Sequence, residues 1–112
     1  MIALRDRLRK FVAERDWDQF HSPKNLASAL SVEAAELLEH FQWLTEEQSK
    51  KLPPEKLAQV RDEMADVLVY LVRLADKLDV DLLEAVAEKM AKNALKYPAD
   101  QVRGSMKKYS DY

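Results

Sequence analysis

The chain contains no cysteine, which rules out disulfides, a thiolate nucleophile and any cysteine-ligated zinc or iron–sulfur site. It has one glycine and four prolines in 112 residues, too few turn formers for a meander of short strands. No apolar run approaches the length of a membrane span. The opening stretch, Met1–Arg7, also lacks the apolar segment of a secretory signal, so a soluble cytoplasmic protein is expected. Nor is there a large excess of one charge. A net charge of −2 argues against a general nucleic-acid binder. The charges are nevertheless uneven: Lys89, Lys92, Lys96, Arg103, Lys107 and Lys108 face only Asp100 and Asp111 in the final stretch. An acidic middle with a basic end suits a metal-bound polyanion gripped from both sides.

What is present in quantity is Ala, Leu, Glu, Lys and Asp, a composition that favours helices. Leu4, Leu8, Phe11 and Val12 mark a first amphipathic helix ending near Arg15. The segment from Asp16 to Ser22 breaks that period and gathers Trp17, Phe20 and His21 in a loop. Ser22-Pro23 reads as an N-cap followed by proline at the first helical position, starting a second helix that should run to about Gln42. Thr45-Glu46-Glu47-Gln48 fits a capping box for a short helix. A long helix is expected from about Pro54 to Leu78, and a fourth after Asp81 to near Tyr97-Pro98. A polar, basic arm covers about 98–112. The short connections predict one all-α domain over residues 1–112, an antiparallel four-helix bundle with a short extra helix.

Against this pattern two acidic pairs stand out, Glu33/Glu36 and Glu63/Asp66. Residues three apart on a helix are neighbours, so each pair aims two carboxylates in nearly one direction. Glu33 falls among Leu26, Leu30, Leu37 and Phe41 within an apolar stripe, and Glu63 lies beside the stripe of Val60, Met64, Val67 and Leu71. The spacing by itself is common in a chain with 20 acidic residues; Glu36/Glu39, Asp76/Asp79 and Asp81/Glu84 repeat it and read as solvated pairs. Placement against the apolar stripes gives the first two pairs their weight, because a carboxylate there needs compensation. The residues leave open a cation site or salt bridges to Lys and Arg. No histidine follows a glutamate by three, and an all-carboxylate set favours Mg²⁺ or Mn²⁺ over iron or zinc. His40 reads as a surface or packing histidine. Tyr70 shares the acidic face, Lys89, Asn93, Lys96 and Tyr97 form a strip along the fourth helix, and the aromatics Trp17 and Trp43 offer stacking surfaces or plugs for the bundle ends.

Taken together these residues resemble a known family. Glu-x-x-Glu followed after 26 residues by Glu-x-x-Asp is similar to the MazG-like all-α nucleotide pyrophosphohydrolases. The run Ala13–His21, Asn25-Leu26, Phe41-Gln42-Trp43, Asp66-Val67-Leu68-x-Tyr70-Leu71, Lys89-Met90-x-x-Asn93, Tyr97-Pro98 and Lys107-Lys108-Tyr109 resemble its dCTP pyrophosphatase branch, from Leu8 to Tyr109. The resemblance implies Mg²⁺-dependent hydrolysis of a (deoxy)nucleoside triphosphate, dCTP above others, to the monophosphate and pyrophosphate. It implies Glu33, Glu36, Glu63 and Asp66 as catalytic metal ligands, with Glu33 and Glu36 both candidates for the base. It further implies Lys89, Asn93, Tyr97, Arg103 and Lys108 at phosphates and sugar, Trp17, His21 and Trp43 at the base, and Tyr70 on the sugar. Leu8 departs from a histidine expected near the base, which leaves base preference open toward dUTP or dATP. The same resemblance implies a homo-oligomer, a dimer of dimers, with pockets built from more than one chain. A non-catalytic helical partner-binding module is the alternative from another class.

Overall fold

The computed structural model describes residues 1–104, and within them all regular structure is helical. The order is α1 (Ile2–Glu14), a 3₁₀ turn (Asp18–Phe20), α2 (Pro23–Glu39), α3 (Glu46–Lys50), α4 (Pro54–Lys77), α5 (Leu82–Lys96) and α6 (Ala99–Val102). Residues Met1–Val80 form one compact unit, and a second begins at Asp81. Among the described residues no helix is long and apolar enough to cross a membrane. Most of the expected basic arm, including Lys107 and Lys108, lies outside the described residues.

The helix starts follow from local chemistry. Ser22 Oγ accepts from the Asn25 amide at 3.1 Å, and Pro23 occupies a position whose amide would be unpaired in any case. In the capping box, the Thr45 amide donates to Gln48 Oε1 at 2.9 Å, while the Gln48 amide donates to Thr45 Oγ1 at 3.2 Å. Asp81 Oδ1 accepts from the Glu84 amide at 3.0 Å and starts α5.

Two helix ends share a device that uses no glycine. Asp16 and Asp79 adopt left-handed backbone, φ +53° and +55°. Each follows the last helical turn, where Trp17 N–H reaches the Val12 carbonyl at 3.0 Å and Val80 N–H reaches the Ala75 carbonyl at 2.8 Å. These are Schellman closures, and aspartate tolerates the left-handed region better than most side chains. Helix α2 stops at Glu39, short of the expected Gln42. His40 and Phe41 bond three residues back, to Leu37 and Leu38, so the last turn tightens and leaves α-geometry.

In the first unit α2 packs on α4, with α1 also against α4. Val12, Leu26, Val60, Val72 and Ala75 form the buried apolar set. Leu26 is 1% exposed, and burial of this kind contributes about 2 kcal/mol per side chain. This packing brings the acidic stretch of α2 against that of α4.

Candidate metal centre and its surroundings

Glu33 and Glu36 on α2 and Glu63 on α4 converge, with one carboxylate oxygen of each within 4.8 Å of the others. All three side chains are partly buried. Oε2 of Glu33 and Oε2 of Glu63 are shut away from solvent and have no hydrogen-bond donor. Burial, then the close approach of the Glu63 and Glu36 carboxyls and the charges of Glu36 and Asp66, push the Glu33 carboxyl up to about 7. Acceptor oxygens facing one another without donors call for a cation. The donor set is all oxygen and anionic, which fits a hard divalent ion such as Mg²⁺ or Mn²⁺. Asp66 stands outside the trio and is exposed, yet its charge reaches Glu33. Tyr70, one helical turn beyond Asp66, is partly buried.

The turn after α1 carries the aromatic residues singled out in the sequence. Trp17 is 45% exposed and meets Phe11 edge-on, with ring centroids 5.8 Å apart. The Arg15 guanidinium lies over the Phe11 ring at 3.7 Å. Asn25 Nδ2 donates to the Phe20 carbonyl at 3.0 Å and ties this turn to α2. Gln19 Nε2 donates to the Asp16 carbonyl at 3.0 Å and to Asp16 Oδ2 at 3.2 Å.

Trp43 lies in the turn beyond the other end of α2 and is 86% exposed. The intervening helix of 17 residues is about 25 Å long. A single base therefore does not lie against both Trp17 and Trp43 of one chain. In the second unit Lys89 and Asn93 are exposed on α5, Tyr97 caps its C-terminus, and Arg103 follows α6. Lys108 lies outside the described residues.

Sequence reasoning passed over a second polar cluster. Arg73, on α4, is 3% exposed. Its Nη2 donates to Asp18 Oδ1 at 2.9 Å, its Nη1 to Asp76 Oδ2 at 3.2 Å, and its Nε to His21 Nδ1 at 3.3 Å. Lys77 Nζ reaches Asp18 Oδ1 at 2.7 Å, and Arg9 from α1 forks onto Asp76. Asp76 is thus not a solvated residue, as its spacing to Asp79 suggested; its side chain is 9% exposed and bridges two arginines. Those contacts, Arg9 foremost, hold its carboxyl below the usual range, and Lys77 followed by Arg73 does the same for Asp18. The available signal was an arginine inside an apolar helical run with an aspartate three residues on.

Comparison with known proteins agrees with this architecture. The chain is 49% identical over 104 residues to dCTP pyrophosphatase 1 of Mus musculus, covering 91% of this chain and 61% of that protein. It is 46% identical to dCTP pyrophosphatase 1 of Homo sapiens over the same number of residues, with the same coverage. The chain therefore spans about three fifths of the length of these relatives. A crystal structure of a pyrophosphatase from Archaeoglobus fulgidus DSM 4304 superposes with a TM-score of 0.83 at 44% identity, covering 88% of this chain and 92% of the other. The MazG-like family model matches residues 28–112, from the second turn of α2 onward and across both acidic pairs, and the chain belongs to the MazG-like family.

Proposed function

We propose that this chain is a divalent-metal-dependent nucleoside triphosphate pyrophosphohydrolase of the cytoplasm, with dCTP as its best common substrate and dCMP and pyrophosphate as products. The observation that carries this reading is the convergence of Glu33, Glu36 and Glu63 with two buried, donorless oxygens. The relatives named dCTP pyrophosphatase 1 support the choice of substrate.

Glu33, Glu36, Glu63 and Asp66 would hold Mg²⁺, or Mn²⁺ in its place. A bound divalent cation neutralises phosphate charge and makes water a stronger nucleophile. Glu33 or Glu36 would then orient the attacking water and take its proton. Lys89, Asn93, Tyr97, Arg103 and Lys108 are assigned to the phosphates and sugar. A cation there stabilises charge that develops on the leaving pyrophosphate. Tyr70 is assigned to the sugar, and Trp17, His21 and Trp43 to the base. The length of α2 between His21 and Trp43 supports a pocket completed by a second copy, hence a homo-oligomer and by extension a dimer of dimers. Met64 at 56% exposure and Leu68 at 41%, on α4, are apolar side chains that such an assembly would cover.

Purified protein incubated with Mg²⁺ and a panel of nucleoside triphosphates, followed by separation of products, tests the proposal. Monophosphate and pyrophosphate in equal amounts, fastest from dCTP, are expected. Release of inorganic phosphate with a diphosphate would overturn the reaction. Faster turnover of dUTP or dATP would change the substrate alone, and no turnover of any nucleotide would point to a binding module.

A further inference from the structure

We propose that Arg73 is a positioning residue that fixes His21 as the tautomer carrying its hydrogen on Nε2 and clamps the Trp17–His21 turn against α4. The imidazole then offers a base a hydrogen-bond donor in one orientation. The inference rests on the assignment of this turn to the base, made above.

A guanidinium carries only donors and does not lose its proton in proteins. A ring nitrogen 3.3 Å from Arg73 Nε must therefore present a lone pair, so Nδ1 of His21 is unprotonated. A neutral imidazole with a bare Nδ1 carries its hydrogen on Nε2. Nε2 is then the ring atom left to donate. The surroundings agree: burial first, then the positive charges of Arg73 and Lys77, hold His21 below its ordinary pKa, and Asp18 only partly opposes them.

Arg73 is also placed for this task. It is seven residues beyond Asp66 on the same face of α4, about 10 Å along the axis, with Tyr70 between them. The order along one helix is then carboxylates, tyrosine, and the clamp for the aromatic turn. Phosphates, sugar and base follow one another in a nucleotide in the same sequence. The clamp is closed on three sides, because Asp18 and His21 come from the turn and Asp76 comes from α4 itself.

A fixed donor discriminates between bases. On the pairing edge, cytosine N3 and adenine N1 accept, whereas the ring N–H of uracil, thymine or guanine donates. A donor held on Nε2 favours the first group and meets another donor in the second. One hydrogen bond gained against one left unmade corresponds to about a tenfold preference.

The test has a spectroscopic and a kinetic arm. In ¹⁵N-labelled protein, long-range imidazole spectra should show His21 neutral and protonated at Nε2; His40 is the one other histidine to assign. Arg73→Met should mix the tautomers, raise KM for dCTP about tenfold, and erase the preference for dCTP over dUTP, with kcat changed less than about threefold. Arg73→Lys, which keeps the charge without the fork, should fall between, and it carries the kinetic arm should Arg73→Met not fold. A His21 protonated at Nδ1, or doubly protonated, in the wild-type protein overturns the proposal without any variant. Unchanged KM and base preference in the Arg73 variants, with KM raised in Trp17→Ala, overturns it while leaving the base assignment standing. Unchanged values in both removes the base assignment and this proposal with it.

Discussion

Replacing Glu33 by glutamine keeps the size of the side chain and removes its charge. In metal-free protein at alkaline pH that charge is partly withdrawn from water and lies close to Glu36, Glu63 and Asp66, which raises the carboxyl from 4.5 to about 7. At roughly 1.4 kcal/mol for each pH unit, the unfavourable interaction amounts to about 3 kcal/mol. Glu33 is only part-buried, and solvent screening reduces the expected gain on neutralising it to about 1 kcal/mol. In a chain of this size such a gain raises Tm by about 4–8 °C. The pH dependence follows from the direction of the shift. The folded state keeps a proton that the unfolded state releases between about 4.5 and 7, so this contribution is fully present below 4.5 and is lost as pH rises through 7. Circular dichroism melts in chelator should therefore show Glu33→Gln above wild type near pH 8 and level with it near pH 5. Added Mg²⁺ should raise the wild-type midpoint and move the variant less, because ligand bound to the folded state stabilises by mass action. A variant that melts below wild type at pH 8, or gains equally at both pH values, would refute the idea that the carboxylates oppose one another in the folded chain.

Chelation should abolish nucleotide hydrolysis and Mg²⁺ or Mn²⁺ restore it; Glu36→Gln or Glu63→Gln should stay inactive with metal added while the helical circular dichroism matches wild type. Asp76→Asn should lower stability by about 2 kcal/mol in neutral urea titrations, since hydrogen bonds to charged groups are lost. Because the folded-state pKa of Asp76 is depressed, its contribution is present above the ordinary 3.8 and disappears as pH falls through the lower folded value, so the gap should close in acid. Trp17→Ala should mainly raise KM and blur base preference, stacking being worth roughly 1–3 kcal/mol, whereas Lys89→Ala should mainly lower kcat with base preference intact.

The parts of the fold that could be read from the sequence are those whose causes are local. Ser22-Pro23, the Thr45–Gln48 box and Asp81 each start a helix with atoms no more than three residues apart, and each behaves as its chemistry demands. The acidic trio was legible because Glu33 falls within, and Glu63 beside, the apolar stripes of two helices that the packing then brings together. Arg73 was not, since its partners in the turn are 52 and 55 positions away and nothing near it in the chain names them. Asp76 was misjudged for the same reason: its i,i+3 neighbour is local, but Arg9 is 67 positions distant. That Trp17 and Trp43 flank the second helix was legible as well, and the 17 residues of α2 set the distance between its two ends.

The left-handed Asp16 has a thermodynamic consequence for recognition. It closes α1, its carboxylate and carbonyl hold Gln19, and the turn it begins is fastened by Asn25 and Arg73. A loop tied at this many points surrenders little freedom when a ligand arrives. Association at this end should therefore resemble docking to a rigid body, with a modest ordering penalty and a heat-capacity change set by the aromatic area covered. Asp16→Gly would relax the left-handed backbone yet remove the carboxylate half of the Gln19 tether, leaving only the carbonyl, and the added disorder should then surface as a less favourable binding entropy.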